Sequence, residues 1–315
     1  MTEYQPATAL GDSATIGFFT PSEWLGGDRP VQVHEGAAML ERLGYHVKYA
    51  ENYLAQDSIR GGTVGQRVAD ISELIKNSEV HALLATWGGK ACNQLLPHLP
   101  YRHIAEAKKA ILGFSDVCVL SNAITAETGL VTFYGPNIAG KLGESSWSDL
   151  ACLRRSFDWR STNILAGAAE AGATCLRGGS ATGRLVGGNL NCFAIGVVLS
   201  QLDLSFFDGG IFFWEDLGLT PRQIDQYLTG LVNIGFMDRI SGMVIGDFFA
   251  QEKREWQHSD PLESVLHALR DYRFPIVYAP IFGHRKLENP VFPIGATCDL
   301  DADGIALTVT DQVVR

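Results

Sequence analysis

The sequence predicts an α/β protein with two domains. The first 136 residues alternate short apolar runs with helical patterns, and a second alternation starts at Gly183. Alternation of this kind is typical of a parallel sheet with helices on both faces. The chain has 315 residues, more than one hydrophobic core usually accommodates. We therefore expect an N-terminal domain over residues 1–136, a connecting segment over 137–178 and a C-terminal domain over 179–315.

The N-terminal domain is predicted to contain five buried strands separated by helices. We place the strands at residues 14–20, 46–50, 82–86, 110–114 and 131–134. Helical spacing of apolar residues predicts helices over 31–43, 63–77 and 90–96, and another from about residue 116. Thr63 can cap the second helix, and Gly44 can end the first.

The C-terminal domain is predicted from shorter signals. We expect strands at residues 184–186, 211–214, 243–245 and 276–281, and a closing hairpin over 297–314. Thr220 and Gln223 form a capping-box pattern around Pro221, and Asp260 precedes another helical pattern. The connecting segment is expected to be partly helical over 149–157.

Composition and charge argue against several classes of protein. The net charge is −10 and the sequence pI is about 5.3, whereas nucleic-acid-binding domains are usually basic. We therefore expect no nucleic acid or membrane partner. The first residues lack a basic segment followed by an apolar one, and the six cysteines include no Cys-x-x-Cys pair, so we expect a cytoplasmic protein. Neither a dinucleotide fingerprint nor a zinc motif is present, so we expect no cofactor and no metal.

Ser115 lies where a predicted strand turns into a helix, in the run Gly113-Phe114-Ser115-Asp116. This run resembles a nucleophile elbow, although Val117 replaces the second glycine. Backbone N–H groups at the helix start could stabilise an oxyanion, and Gly88-Gly89 after the third strand could supply another. The alternatives are that Ser115 merely caps a helix and that the glycine pair is a plain turn.

Glu215 and His284 each follow an apolar strand. A serine nucleophile needs a base, histidine titrates near neutral pH, and a third group must fix its tautomer. A buried carboxylate such as Glu215 needs a hydrogen-bond partner, which His284 could be. Equally, Glu215 could be a surface residue at a strand end.

These segments together resemble the LD-carboxypeptidase and microcin C immunity family of serine peptidases. The likeness rests on Ile16–Ser22, Trp87-Gly88-Gly89, Gly113–Asp116, Glu215-Asp216 and Gly283-His284, in that order. The run from Ala181 to Asn191 is closest to the microcin-immunity branch.

The resemblance implies a flavodoxin-like N-terminal domain carrying the nucleophile, a C-terminal β-rich α/β domain, and an active site in the cleft between them. It implies Ser115 as nucleophile, Glu215 as acid and His284 as base. The oxyanion hole would comprise the backbone N–H groups of Gly89 and Asp116. It also implies a homodimer.

Substrate-binding roles are expected for Gly88, Asn189 and Trp159. The segment between Tyr134 and Gly183 is shorter than in the microcin-immunity proteins, which weakens the case for nucleotide recognition.

Three hypotheses for function follow. The leading one is hydrolysis of a small peptide amide, of the murein tetrapeptide class, through an acyl-enzyme. The second is hydrolysis of a peptidyl-nucleotide antibiotic for self-immunity or detoxification. The third is a catalytically silent binding protein on a periplasmic-binding-like scaffold, which the missing export signal disfavours.

Overall fold

A computed structural model describes residues 4–139, 163–199, 203–248, 260–286 and 289–315, without the side chains of 197–199. The chain forms two compact units. The first unit comprises Met1–Arg160, Leu287–Ala296 and Gln312–Arg315, and the second comprises Ser161–Lys286 and Thr297–Asp311. The chain thus returns to the first unit twice near its end, whereas the sequence predicted one continuous C-terminal domain from residue 179.

Strands and helices alternate through most of the described chain. The strands are β1 (Thr15–Phe19), β2 (His46–Tyr49), β3 (Ala82–Ala85), β4 (Ala110–Gly113), β5 (Thr132–Tyr134), β6 (Thr174–Arg177), β7 (Ser180–Asn189), β8 (Gly210–Glu215), β9 (Ile240–Ile245), β10 (Ile276–Tyr278), β11 (Phe292–Ile294), β12 (Thr297–Asp301) and β13 (Ala306–Val309). The α-helices are α1 (Arg29–Arg42), α2 (Val64–Lys76), α3 (Tyr101–Ala107), α4 (Val117–Thr128), α5 (Leu190–Leu199), α6 (Pro221–Asn233) and α7 (Pro261–Ala268).

The first unit is built on a sheet with the strand order β11-β5-β4-β3-β1-β2. All neighbouring pairs are parallel except β11 with β5. β3 and β4 are parallel neighbours, so the loops that follow them leave from the same edge of the sheet. Ligands of open α/β sheets bind at this carboxyl edge.

The core of the first unit surrounds β3 and β4, whose residues are all buried. This explains why both strands are continuous apolar runs rather than alternating ones. The predicted cap of α2 is present, because the Thr63 hydroxyl accepts from the backbone N–H of Gln66 while the Gln66 side chain accepts from the N–H of Thr63. The predicted helix over 90–96 is a 3₁₀ helix, Cys92–His98.

The second unit is built on a mixed sheet with the order β13-β12-β7-β8-β9-β10-β6. The strands β7, β8, β9 and β10 are parallel, and β12 and β13 form the predicted closing hairpin. The capping box of Thr220 and Gln223 and the cap of Asp260 open α6 and α7 as predicted.

The sequence prediction was wrong about the length of β7. Residues 184–186 were expected to form a short strand that ends before a glycine turn, but β7 continues through Gly187 and Gly188 to Asn189. Gly187 lies in the strand because the neighbouring β8 approaches it closely: a Cβ atom at this position would lie 1.8 Å from the carbonyl oxygen of Phe213. The sequence analysis also missed α5, which begins directly where β7 ends.

Within the described ranges, no helix has the length and apolar character needed to cross a membrane.

Candidate active site

Ser115 lies in a strained turn between β4 and α4. Its φ angle is +61°, a left-handed conformation that non-glycine residues seldom adopt. The residue is partly exposed, while residues 110–114 before it and 116–125 after it are buried. The turn therefore presents one hydroxyl at the edge of the sheet, as a nucleophile elbow does.

Two polar side chains hold the Ser115 turn. The Tyr134 hydroxyl accepts from the backbone N–H of Ser115 at 3.2 Å. The side-chain oxygen of Asn137 accepts from the backbone N–H of Phe114 at 2.8 Å. Both residues lie at or just after the end of β5, the strand next to β4, so the same sheet edge supplies the turn and its support. The sequence analysis missed both roles, although polar groups after a buried strand were the signal that could have indicated them.

The glycine pair lies against the Ser115 turn. A Cβ atom on Gly88 would lie 3.0 Å from Cβ of Ser115 and 3.4 Å from its hydroxyl oxygen. Gly89 has a φ of +138°, and a Cβ atom there would lie 2.4 Å from Cγ of Glu23. The φ of Gly89 therefore favours glycine at that position, and Gly88 brings the loop backbone close to the serine.

The backbone N–H of Asp116 donates to no acceptor among the described residues. It belongs to the first turn of α4, where N–H groups have no partner within the helix. Such an N–H beside a partly exposed serine can donate to an oxyanion.

Glu215 and His284 meet in the second unit. Glu215 ends β8 and is completely buried, and His284 follows β10 in a loop. One carboxylate oxygen of Glu215, Oε2, lies 2.7 Å from Nδ1 of His284 and accepts from the backbone N–H of His284 at 3.0 Å. An ionised carboxylate at this position accepts a hydrogen bond from Nδ1–H, which leaves Nε2 of the neutral ring as the proton acceptor.

Asn189 braces this pair from the adjacent strand. The residues Asn189 and Glu215 are register partners at the ends of β7 and β8. The Asn189 amide nitrogen lies 3.4 Å from Oε1 of Glu215, and its oxygen accepts from the backbone N–H of Cys192 at 3.1 Å. These contacts attach the carboxylate to the start of α5, and the substrate-binding role of Asn189 stays a prediction.

Asp216 is a second buried carboxyl group beside the first. Its side chain accepts from the backbone N–H groups of Asn191 and Leu217. Burial, and then the neighbouring charge of Glu215, raise the pKa of Asp216 to about 6. The sequence analysis gave Asp216 no separate role and missed this effect, which depends on burial.

The structure gathers the predicted residues into two groups. Ser115, Asp116, Gly88 and Gly89 lie together in the first unit, and Glu215, His284 and Asn189 lie together in the second. Trp159 and the predicted helix over 149–157 lie outside the described residues. Among the described residues, no cluster of three His, Cys, Asp or Glu side chains could hold a metal ion.

Family models match both halves of the chain. The LD-carboxypeptidase N-terminal domain matches residues 16–135, and the LD-carboxypeptidase C-terminal domain matches residues 182–300. The chain belongs to the LD-carboxypeptidase family. The family is one of serine peptidases, so the resemblance seen in the sequence is confirmed.

Relatives in this family include proteins of two kinds. The microcin C7 self-immunity protein MccF of Escherichia coli is 28% identical and covers 96% of this chain and 94% of its own length. The murein tetrapeptide carboxypeptidase of Pseudomonas aeruginosa is 28% identical over 83% of each chain.

Solved structures confirm the two-domain α/β fold of the LD-carboxypeptidase family. Wild-type MccF without ligand superposes with a TM-score of 0.86, at 24% identity, over 99% of this chain and all of that chain. The muramoyltetrapeptide carboxypeptidase of Oxalobacter formigenes superposes with a TM-score of 0.80, at 22% identity, over 95% of this chain and 99% of that chain.

Proposed function

We propose that this chain hydrolyses an amide bond of a small peptide of the murein tetrapeptide class. Ser115 is the nucleophile, His284 the general base and Glu215 the carboxylate that orients the base. The observation that carries the proposal is the 2.7 Å contact between the completely buried Glu215 and Nδ1 of His284. A buried carboxylate in this contact fixes the tautomer that a serine nucleophile requires.

The reaction has two steps. The Ser115 hydroxyl oxygen attacks the amide carbon while its proton moves to Nε2 of His284, and the backbone N–H groups of Gly89 and Asp116 bind the oxyanion. His284 then gives this proton to the departing amine, and the C–N bond breaks to leave a Ser115 ester. Water then attacks the ester carbon while His284 takes a proton from it. His284 returns this proton to the Ser115 oxygen as the ester C–O bond breaks and the acid product leaves.

Ser115 supports this role by its conformation. The left-handed φ is costly for a residue that only caps a helix, and caps usually have extended backbone angles. The Asp116 side chain makes no cap bond to α4 either, so the turn is not built as an ordinary helix start.

The peptide substrate is supported by the murein tetrapeptide carboxypeptidase of Pseudomonas aeruginosa, which matches over most of this chain. A test is release of D-alanine from murein tetrapeptide by the wild-type chain and by Ser115→Ala. We expect a loss of at least about 10³-fold in kcat for Ser115→Ala.

The matched control is Ser13→Ala, which changes another serine of positive φ that is exposed before β1. This variant should keep wild-type activity. Release of D-alanine by Ser115→Ala within a few-fold of wild type would remove Ser115 as the nucleophile.

A second candidate is hydrolysis of a peptidyl-nucleotide antibiotic. It is supported by the match to MccF over 96% of this chain, and MccF has been solved with aspartyl sulfamoyl adenosine. Calorimetric titration with aspartyl sulfamoyl adenosine and with murein tetrapeptide, both on Ser115→Ala, separates the two. Binding of the tetrapeptide alone supports the leading proposal, and binding of the adenosine compound alone supports the second.

A cytoplasmic location and a homodimeric assembly are parts of the same proposal. Sedimentation of the purified chain tests the dimer directly.

A further inference from the structure

We infer that the Asp116 side chain is a positioning residue that fixes the glycine loop against the nucleophile turn. The glycine loop is residues 86–92, which run from the end of β3 to the first residue of the 3₁₀ helix. The inference rests on the proposed function, since it concerns how the two oxyanion donors, Gly89 and Asp116, are aligned.

Asp116 reaches into the glycine loop with its carboxylate. The residue is 3% exposed, so its charge must be matched by donors within the protein. Its Oδ2 accepts from the backbone N–H groups of Ala91 and Cys92, both at 2.8 Å, and from the Ser22 hydroxyl at 2.6 Å. Three donors on one carboxylate oxygen form a set of charge-assisted hydrogen bonds, which are stronger than bonds between neutral groups.

Ser22 extends this set of bonds to Gly89. Ser22 is completely buried, and its hydroxyl oxygen also accepts from the backbone N–H of Ala91 at 3.0 Å. The same oxygen would lie 2.7 Å from a Cβ atom on Gly89, so it packs directly against this glycine. The carboxylate of Asp116 therefore holds the loop just after Gly89 directly, and it also holds the Ser22 side chain that packs against Gly89.

Arg67 supports the same loop with the opposite charge. Its guanidinium is 1% exposed and donates from Nη1 to the carbonyls of Pro21 at 2.8 Å and Ala91 at 3.1 Å. Its Nη2 donates to the Gln94 side-chain oxygen at 2.6 Å. The buried Asp116 carboxylate thus holds the N–H groups of Ala91 and Cys92, and the buried Arg67 guanidinium holds the Ala91 carbonyl. The charges of Arg67 and Asp116 also attract each other.

One residue therefore links both halves of the oxyanion hole. Asp116 offers its own backbone N–H, and through its side chain it sets the loop that carries the N–H of Gly89. An oxyanion donor works only if it lies within about 2.7–3.1 Å of the developing charge, and losing one costs about 10²–10³-fold in kcat. Loosening the loop without removing a donor should cost somewhat less.

The test compares Asp116→Asn with a matched control, Asp70→Asn. Asp70 is also a buried carboxylate of the first unit, 4% exposed, and accepts from the backbone and side chain of Asn52, which precedes α2 in the chain. Both substitutions remove one buried charge with little change of volume. Only the first acts on the glycine loop.

Two measurements are made on the full chain. The first is hydrogen–deuterium exchange of peptides that cover residues 88–96, compared with the rest of the first unit. The second is kcat and KM on the amide substrate, together with the inhibition constant of a peptidyl boronic acid, which mimics the tetrahedral oxyanion, against that of the peptide product.

We expect Asp116→Asn to speed exchange in residues 88–96 at least about tenfold, and to lower kcat about 10- to 100-fold with KM within threefold. Boronic acid affinity should fall by a similar factor, and product affinity should stay within threefold. Asp70→Asn should change none of these. If Asp116→Asn does not fold, Ser22→Ala, which removes one of the three donors, should show the same pattern at about a third of the effect or more.

Unchanged exchange in residues 88–96 would overturn the inference, as would equal losses of boronic acid and product affinity. If the Ser115→Ala variant still hydrolyses the substrate, the proposed function is wrong. The exchange measurement would still decide whether Asp116 holds the loop.

Discussion

Glu215 holds His284 by two contacts from a single carboxylate oxygen, one to the ring and one to the backbone. The backbone contact fixes the loop, and the ring contact fixes the tautomer. The other oxygen faces the Asn189 amide from β7. The carboxylate thus receives a donor at each oxygen, which allows it to remain charged while completely buried.

Glu215→Gln should lower kcat by about 10³–10⁴-fold, because the Gln amide can donate to Nδ1 and so place the ring proton on Nε2. A protonated Nε2 cannot take the serine proton. Steady-state hydrolysis measures the effect. Glu73→Gln is the control: it changes an exposed carboxylate paired with Lys48 and should leave kcat unchanged. Activity of Glu215→Gln within tenfold of wild type would exclude the proposed role of Glu215.

The raised pKa of Asp216 leads us to expect that the stability of the folded chain depends on pH. Because its pKa is raised from 3.8 to about 6 by burial and by Glu215, the folded chain keeps this proton over a pH range where the unfolded chain has lost it. The stabilisation is therefore present at low pH and is lost as the pH rises through about 6. The free energy of unfolding should therefore fall by about 1 kcal/mol between pH 5 and pH 7.

Asp216→Asn removes that titration. Urea unfolding measures the free energy of unfolding at each pH. From pH 5 to pH 7 this free energy should fall by about 1 kcal/mol more in the wild type than in the variant. A difference between the two proteins that does not change with pH would show that Asp216 titrates normally.

At the scale of elements, β7 determines where the Glu215 group lies. The strand is parallel to β8 and in register with it from Leu185 to Asn189, so Asn189 ends opposite Glu215. Gly187 makes this register possible, since its φ is +135° and the carbonyl of Phe213 occupies the space of a side chain.

Gly187→Ala should destabilise the chain by more than about 3 kcal/mol, because the added methyl meets a backbone that cannot move without breaking the β7–β8 pairing. Gly230→Ala is the matched change in the same unit. It lies inside α6 with no atom within 4 Å of an added Cβ, so it should stabilise by about 0.5–1 kcal/mol. Chemical denaturation measures both, and similar effects from the two substitutions would contradict this account of β7.

The sequence predicted elements well where local signals were complete. The capping boxes of α2 and α6 combine a threonine, a glutamine and a following apolar stripe, and both helices begin where that pattern placed them. β7 and β11 could not be predicted this way. The glycine pair in β7 has the composition of a turn, and the three-residue β11 pairs with β5, some 160 residues away in the chain.

For the whole molecule, motifs at predicted strand ends and the family resemblance suggested candidate residues for the chemistry, but they did not indicate how the chain divides. Ser115 and the glycine pair could be placed together because parallel strands end at one edge. The contact of Glu215 with His284 was a hypothesis from strand ends, and the roles of Asp216, Tyr134 and the Asp116 side chain depend on burial that no local pattern encodes.

The central proposal is that Ser115 and His284 take part in the same catalytic step. The measurement that tests it most directly is kcat for Ser115→Ala, His284→Ala and the double variant. Residues that act in one step are strongly non-additive, so the double variant should be within a few-fold of either single one. The account would be contradicted if the loss of kcat in the double variant equalled the product of the two single losses. A His284→Ala variant with wild-type kcat would also contradict it.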